Sequence, residues 1–100
     1  MTLMDLREYV NALEYFDKVI NLSGGSNNYL IGAWNNKGLC FVRMKKYEEA
    51  IPCFKEVLAI NNTHYTALSN LRFCLEKLKE KSSEIKTMQE KIDRLLLEMG

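Results

Sequence analysis

The stretch Ala33-Trp34-Asn35-Asn36-Lys37-Gly38-Leu39-Cys40-Phe41 is followed, after a short basic turn, by Tyr47-Glu48-Glu49-Ala50-Ile51-Pro52-Cys53-Phe54. Each segment carries large apolar groups at helical spacing, and each sets one small residue among them, Gly38 and Ala50. Two antiparallel helices joined by a tight turn touch along their length, and small residues let the backbones approach. Gly inside a helix costs about 0.5–1 kcal/mol relative to Ala, so a glycine between Trp34 and Phe41 has a packing reason. Gly38 and Ala50 are therefore expected to face each other where the helices cross. Trp34, Phe41, Tyr47 and Phe54 are expected to fill the space around them.

The spacing of Trp34, Gly38 and Phe41, then of Ala50 and Phe54, resembles a tetratricopeptide repeat, a 34-residue helix–turn–helix unit that stacks into a solenoid. The resemblance implies an all-α fold, an α-α superhelix of antiparallel helix pairs. It also implies that Trp34 is largely buried against a neighbouring helix, here the one carrying Phe16. Three positions depart from the pattern: Lys37 stands in place of Leu, Val57 in place of Ala, and Asn62 in place of the closing Pro. Lys37 can lay its stem along the helix and keep its ammonium in water. Asn61-Asn62-Thr63 still reads as a turn and helix cap.

Working outward, Tyr9-Val10-Asn11-Ala12-Leu13-Glu14-Tyr15-Phe16 repeats the later Tyr47-to-Phe54 segment, and Val19 matches Val57. Ala12 and Ala50 lie 38 residues apart, and the surplus over one repeat falls in the loop Ser23-Gly24-Gly25-Ser26-Asn27-Asn28. Residues 2–22 thus read as a half repeat, equally as a free-standing N-terminal capping helix or a piece of a longer array. Residues 30–62 form a full repeat, its first helix capped by Asn28 or a neighbour and running to about Met44. Its second helix runs from Tyr47 to about Ile60, with Pro52 one turn inside, where the penalty is milder than mid-helix. Thr63 then starts a capping helix over 63–80, whose Tyr65, Leu68, Leu71, Cys74, Leu75 and Leu78 form one apolar stripe. That helix closes an array over residues 1–80.

Beyond it the period changes. Leu78, Ile85, Ile92 and Met99 are seven apart, Met88 and Leu95 take the intermediate seam positions, and Lys81 breaks the first of these. Residues 81–100 are expected to be a C-terminal amphipathic helix of heptad type, which Ser82 or Ser83 with Glu84 could cap afresh. Three arrangements are open: folding back as a missing second helix, projecting as a long helix, or pairing with another chain.

Composition narrows the function. Fourteen Lys and Arg against thirteen Asp and Glu leave a formal charge of +1 with the signs interleaved, unlike the basic face of a nucleic-acid binder. No apolar run reaches the length of a membrane span and no secretory leader opens the chain. Neither nucleic acid nor membrane is expected as a partner, and the compartment expected is the cytoplasm. Cys40, Cys53 and Cys74 are odd in number, lack a C-x-x-C pair and fall on apolar faces, so they read as buried small hydrophobes. His64 is the single histidine, with no ligand-type residue at metal spacing around it. No phosphate loop, serine elbow or carboxylate pair appears. The reading is not an enzyme, with no cofactor and no metal.

The resemblance implies a concave groove lined by first helices. The residues left free for it are Asn35, Asn36, Leu39, Arg43, Asn70 and Phe73, the asparagines holding a ligand's backbone amides and Leu39 and Phe73 supplying apolar contact. Repeats of this kind that grip acidic chaperone tails use a clamp of Lys, Asn, Asn, Lys and Arg. Asn36 matches one clamp asparagine, but Thr66 and Asn70 stand at its cationic places, so a less charged peptide or helix is expected. The function expected is a protein–protein interaction scaffold acting through its concave face. The alternative is a self-associating module, a homo-oligomer joined through open repeat ends or the heptad helix.

Overall fold

Residues 2–22, 24 and 26–99 are described by the computed structural model; Met1, Ser23 and Gly25 of the expected first loop, and Gly100, lie outside the described residues. The chain forms α1 (Leu3–Leu22), α2 (Asn27–Arg43), α3 (Tyr47–Ile60) and α4 (Tyr65–Met99). No strand occurs among the described residues. Each helix packs on the next, and α4 also touches α2, so α3 lies between two neighbours while α1 meets α2 alone. The all-α helix-pair architecture is the one expected.

Local chemistry sets the helix ends. Thr2 and Asp5 form a reciprocal cap on α1: the Asp5 N–H donates to Thr2 Oγ1 (3.2 Å) and the Thr2 N–H to Asp5 Oδ2 (3.3 Å). The N-cap of α2 is Ser26 rather than Asn28, and its side chain makes no capping bond. Between α2 and α3, Lys46 N–H donates to the Phe41 carbonyl (2.8 Å) and Lys45 N–H to that of Val42 (2.9 Å). This double closure puts the next-to-last residue in the left-handed region, usually as glycine. Here Lys45 adopts it, at φ 61°. The cap of α4 is His64, not Thr63: Nδ1 of His64 accepts the Ala67 N–H at 3.1 Å. Thr63 instead donates its N–H and hydroxyl to Asn61 Oδ1 within the turn (3.1 and 2.9 Å).

The core is built on Ala50, Phe54 and Cys74, all fully buried, with Leu39, Phe41, Val42, Tyr47, Ile51 and Leu71 packed around them. Gly38 does not face Ala50 as its nearest neighbour. A Cβ on Gly38 would meet three carbons of the Phe54 ring at 2.6, 2.7 and 3.0 Å. The ring one turn beyond Ala50 occupies the space that the missing side chain leaves.

Trp34 is half-buried rather than largely buried. The Lys37 ammonium sits 5.0 Å from the centre of its ring and donates to Asp17 Oδ1 of α1 at 2.7 Å. The Lys37 side chain is only 20 % exposed, so its charge does not reach into water as the sequence suggests. Asp17 and the indole face receive it instead. The position that breaks the repeat pattern ties α1 to α2.

The boundary expected near residue 80 is not a helix break. With no Gly or Pro in the segment, α4 runs unbroken for 35 residues, about 52 Å at the usual rise. Every residue from 79 to 99 is exposed. The helix projects, stretching the molecule to 64 × 34 × 17 Å with a radius of gyration of 18.1 Å, against about 13 Å for a compact chain of this length.

Two glycines of α2 should respond oppositely to one methyl group. Gly38→Ala drives a Cβ into the buried Phe54 ring, and overpacking of about 1–3 kcal/mol exceeds the roughly 1 kcal/mol of helix propensity gained. Gly32 has nothing within 4 Å of its would-be Cβ, so Gly32→Ala should raise the melting temperature while Gly38→Ala lowers it. His64→Ala should cost about 1 kcal/mol through the lost cap, and His64→Asp should keep most of it, read by urea denaturation.

Candidate functional site

The face of α1 turned toward α2 carries Tyr9, Ala12, Phe16 and Val19, successive at three- and four-residue steps, so they share one side of the helix. The facing stripe of α2 carries Tyr29, Ala33, Asn36, Leu39 and Arg43. An open cleft of about 310 Å³ lies between them, lined by Glu8, Tyr9, Ala12 and Phe16 from α1 and by Asn36, Leu39, Cys40 and Arg43 from α2. A second cleft of about 190 Å³ shares Phe16 and Asn36 with it and continues past Val19 to Tyr29 and Gly32. Together they form one groove along the α1–α2 pair, apolar along its floor. Glu8 and Arg43 give one end opposite charges.

Three of the six residues read from the sequence meet here: Asn36, Leu39 and Arg43. The other three do not line the groove. Asn35 is half-buried, with Oδ1 shielded from solvent and without a hydrogen-bond partner. Asn70 on α4 is in the same condition at Nδ2. Phe73 is exposed, its ring edge-on to Tyr47 at 6.0 Å and under the Lys77 ammonium at 5.5 Å. Glu8, Tyr9, Ala12 and Phe16 were absent from the sequence-derived set. The signal for Tyr9, Ala12 and Phe16 was the match between the α1 and α3 sequences, which marks them as packing residues.

The three thiols are buried and free. Burial pushes each of them up from the ordinary thiol range. For Cys53 the rise reaches about 11, driven first by desolvation and only partly countered by Lys37; its S–H points to the Glu49 carbonyl at 3.6 Å. Thiols held in the neutral form are poor nucleophiles. Among the described residues, no group of three or more His, Cys, Asp or Glu could hold a metal ion, and no helix is long and apolar enough to cross a membrane.

The family model of the tetratricopeptide repeat matches residues 31–64, which take in most of α2, the Lys45 turn, α3 and the turn to α4. Residues 31–64 form a tetratricopeptide repeat. The repeat's Gly38–Phe54 contact and the packing of α4 on α3 give it the helix-pair stacking of that family. The chain is also similar to the transcription factor tau subunit sfc4 of Schizosaccharomyces pombe, 37% identical over 68 residues. That alignment covers 68% of this chain and 6% of the yeast protein, so the chain spans a small part of its relative's length. No solved structure matches. A repeat of this family is a surface for other proteins, which suits a groove holding amide, aliphatic and guanidinium groups.

The thiols give a pH test. Their folded values lie above the ordinary 9.0, so the neutral thiols support the fold fully below about pH 9. As pH rises from about 9 to 11 the unfolded chain loses its thiol protons first and stability falls. The melting temperature should drop over that interval, and drop less in Cys53→Ala than in the parent.

Proposed function

We propose that this chain is a protein–protein interaction scaffold whose α1–α2 groove receives a helix of another protein. One observation carries the reading. Tyr9, Ala12, Phe16 and Val19 of α1 match Tyr47, Ala50, Phe54 and Val57 of α3 in the sequence. Ala50, Phe54 and Val57 are 0 % exposed, whereas Ala12, Phe16 and Val19 are only half-buried and line an open groove. The face that α3 covers with α2 is thus uncovered on α1. A helix seated there as α2 sits on α3 would bury it.

The groove runs along α2, the first helix of the repeat, the helix type that lines the concave face in such arrays. Leu39 and Phe16 offer apolar contact. The Asn36 amide can hold a backbone or side-chain amide of the incoming helix, and Arg43 favours a carboxylate near that helix's end. Asn35, Asn70 and Phe73 take no part in this site as proposed. The yeast relative is by name a transcription factor subunit. We place this chain's work in such an assembly and in the nucleus, in place of the cytoplasm expected from composition.

The probe is a fluorescein-labelled, helix-stapled peptide of residues 28–44, the chain's own α2, titrated against the full chain. Saturable anisotropy is the expected result. It should vanish with Ala12→Arg in the chain and weaken with the Gly38→Leu peptide, which has no room for the Phe16 ring. A flat titration with a chain still folded by circular dichroism rejects the helix-binding reading.

A further inference from the structure

We propose that the projecting part of α4 pairs in antiparallel fashion with α4 of a second copy of this chain. The seam that pairs is continuous with one already buried. Leu71 packs on the core and Cys74 is fully buried in it, and Leu78 is half-buried next to the start of α3. Seven-residue steps then carry the same stripe on through Ile85, Met88, Ile92 and Leu95, all exposed. From Leu78 to Leu95 the stripe runs about 27 Å. An aliphatic stripe of that length, flanked by charges, is the pattern of a two-stranded coiled coil.

The flanking charges choose the occupant and its direction. Lys77, Glu84, Lys91 and Glu98 stand one heptad apart on one flank of the seam and alternate in sign. In an antiparallel pair, like flanks of the two seams meet. Setting Ile85 against Met88 of the second copy, and Leu78 against Leu95 of the second copy, brings Glu84 to Lys91 and Lys77 to Glu98. The twofold axis repeats both ion pairs. Sliding the helices by one heptad instead sets Lys91 on Lys91 and Glu84 on Glu98, or Glu84 on Glu84 and Lys77 on Lys91. A parallel pair would set these charges against Ser82, Gln89 and Leu96, with nothing to neutralise them. One arrangement alone satisfies the flank.

The other flank agrees. It carries Leu75, Ser82, Gln89 and Leu96, and the same register puts exposed Leu75 against exposed Leu96 and Ser82 against Gln89. Lys81 meets Ile92 of the second copy, where its stem can pack while the ammonium reaches water. A single polar seam residue of this kind specifies register at a cost in affinity. Lys77 already lies 3.5 Å from Glu80 Oε2 on its own helix, so the central Glu84–Lys91 pairs discriminate best.

The experiment measures the mass of the full chain by sedimentation equilibrium across a hundredfold range of concentration, at low salt. The parent should pass from one chain of 11.6 kDa to two. Glu84→Lys and Lys91→Glu each place like charges together twice, and each alone should weaken association at least tenfold. The double variant Glu84→Lys/Lys91→Glu restores opposite signs and should regain the parent's association, and an equimolar mixture of the two single variants should pair. Both substituted positions are exposed, so circular dichroism should be unchanged throughout. A parent that stays a single chain overturns the proposal. So does a mass above two chains, or association indifferent to the charge swaps.

Discussion

The Phe54 ring lying in the space that Gly38 leaves open is the contact on which the rest of this molecule depends. Three ring carbons stand where a Cβ would be, so α2 and α3 cross at a distance that only glycine permits. With the ring held there, Ala50 and Cys74 close around it and leave it fully buried. Cys74 belongs to α4, so one aromatic side chain fixes the positions of three helices. A chain this short can bury only a small core, and a single misplaced atom at such a point is felt throughout it.

The same contact explains where the stacking stops. One repeat length beyond Gly38 the residue is Arg72, whose side chain is 83 % exposed and reaches Glu76 on its own helix at 3.6 Å. A second helix cannot approach α4 there as α3 approaches α2, because the guanidinium and its stem stand in the way. Relieved of a partner at that face, α4 continues instead as a projecting helix. At the other end the constraint is reversed. Phe16 of α1 corresponds to Phe54, and it lines an open groove in place of a glycine contact.

Much of this was legible in the sequence, because it rests on local periods. Small residues among aromatics and a three-and-four spacing placed the first three helices and most of the core, while the change to seven after Leu78 divided in the sequence what is one helix in the structure. What escaped depends on groups that meet only in three dimensions. Lys37 reads as a surface departure from the pattern until Asp17, on another helix, is found 2.7 Å away. His64 shows no partner at ligand spacing in the sequence, and a ring nitrogen capping a helix leaves no spacing signature of its own. Lys45 adopts a backbone conformation that composition assigns to glycine. The groove was half visible: its α2 side follows from repeat geometry, but its α1 side is open only because no helix covers Phe16.

The two uncovered surfaces lie apart: the groove is lined by α1 and α2, and the seam of α4 is free only where α4 runs on past the start of α3. Filling one leaves the other accessible. With the pairing proposed for α4, the antiparallel axis carries the two grooves outward, one at each end of the joined helices. A partner bearing two suitable helices would then engage both, and the second contact would form at the effective concentration set by the spacer between them. Two contacts made in that way would hold more firmly than either alone.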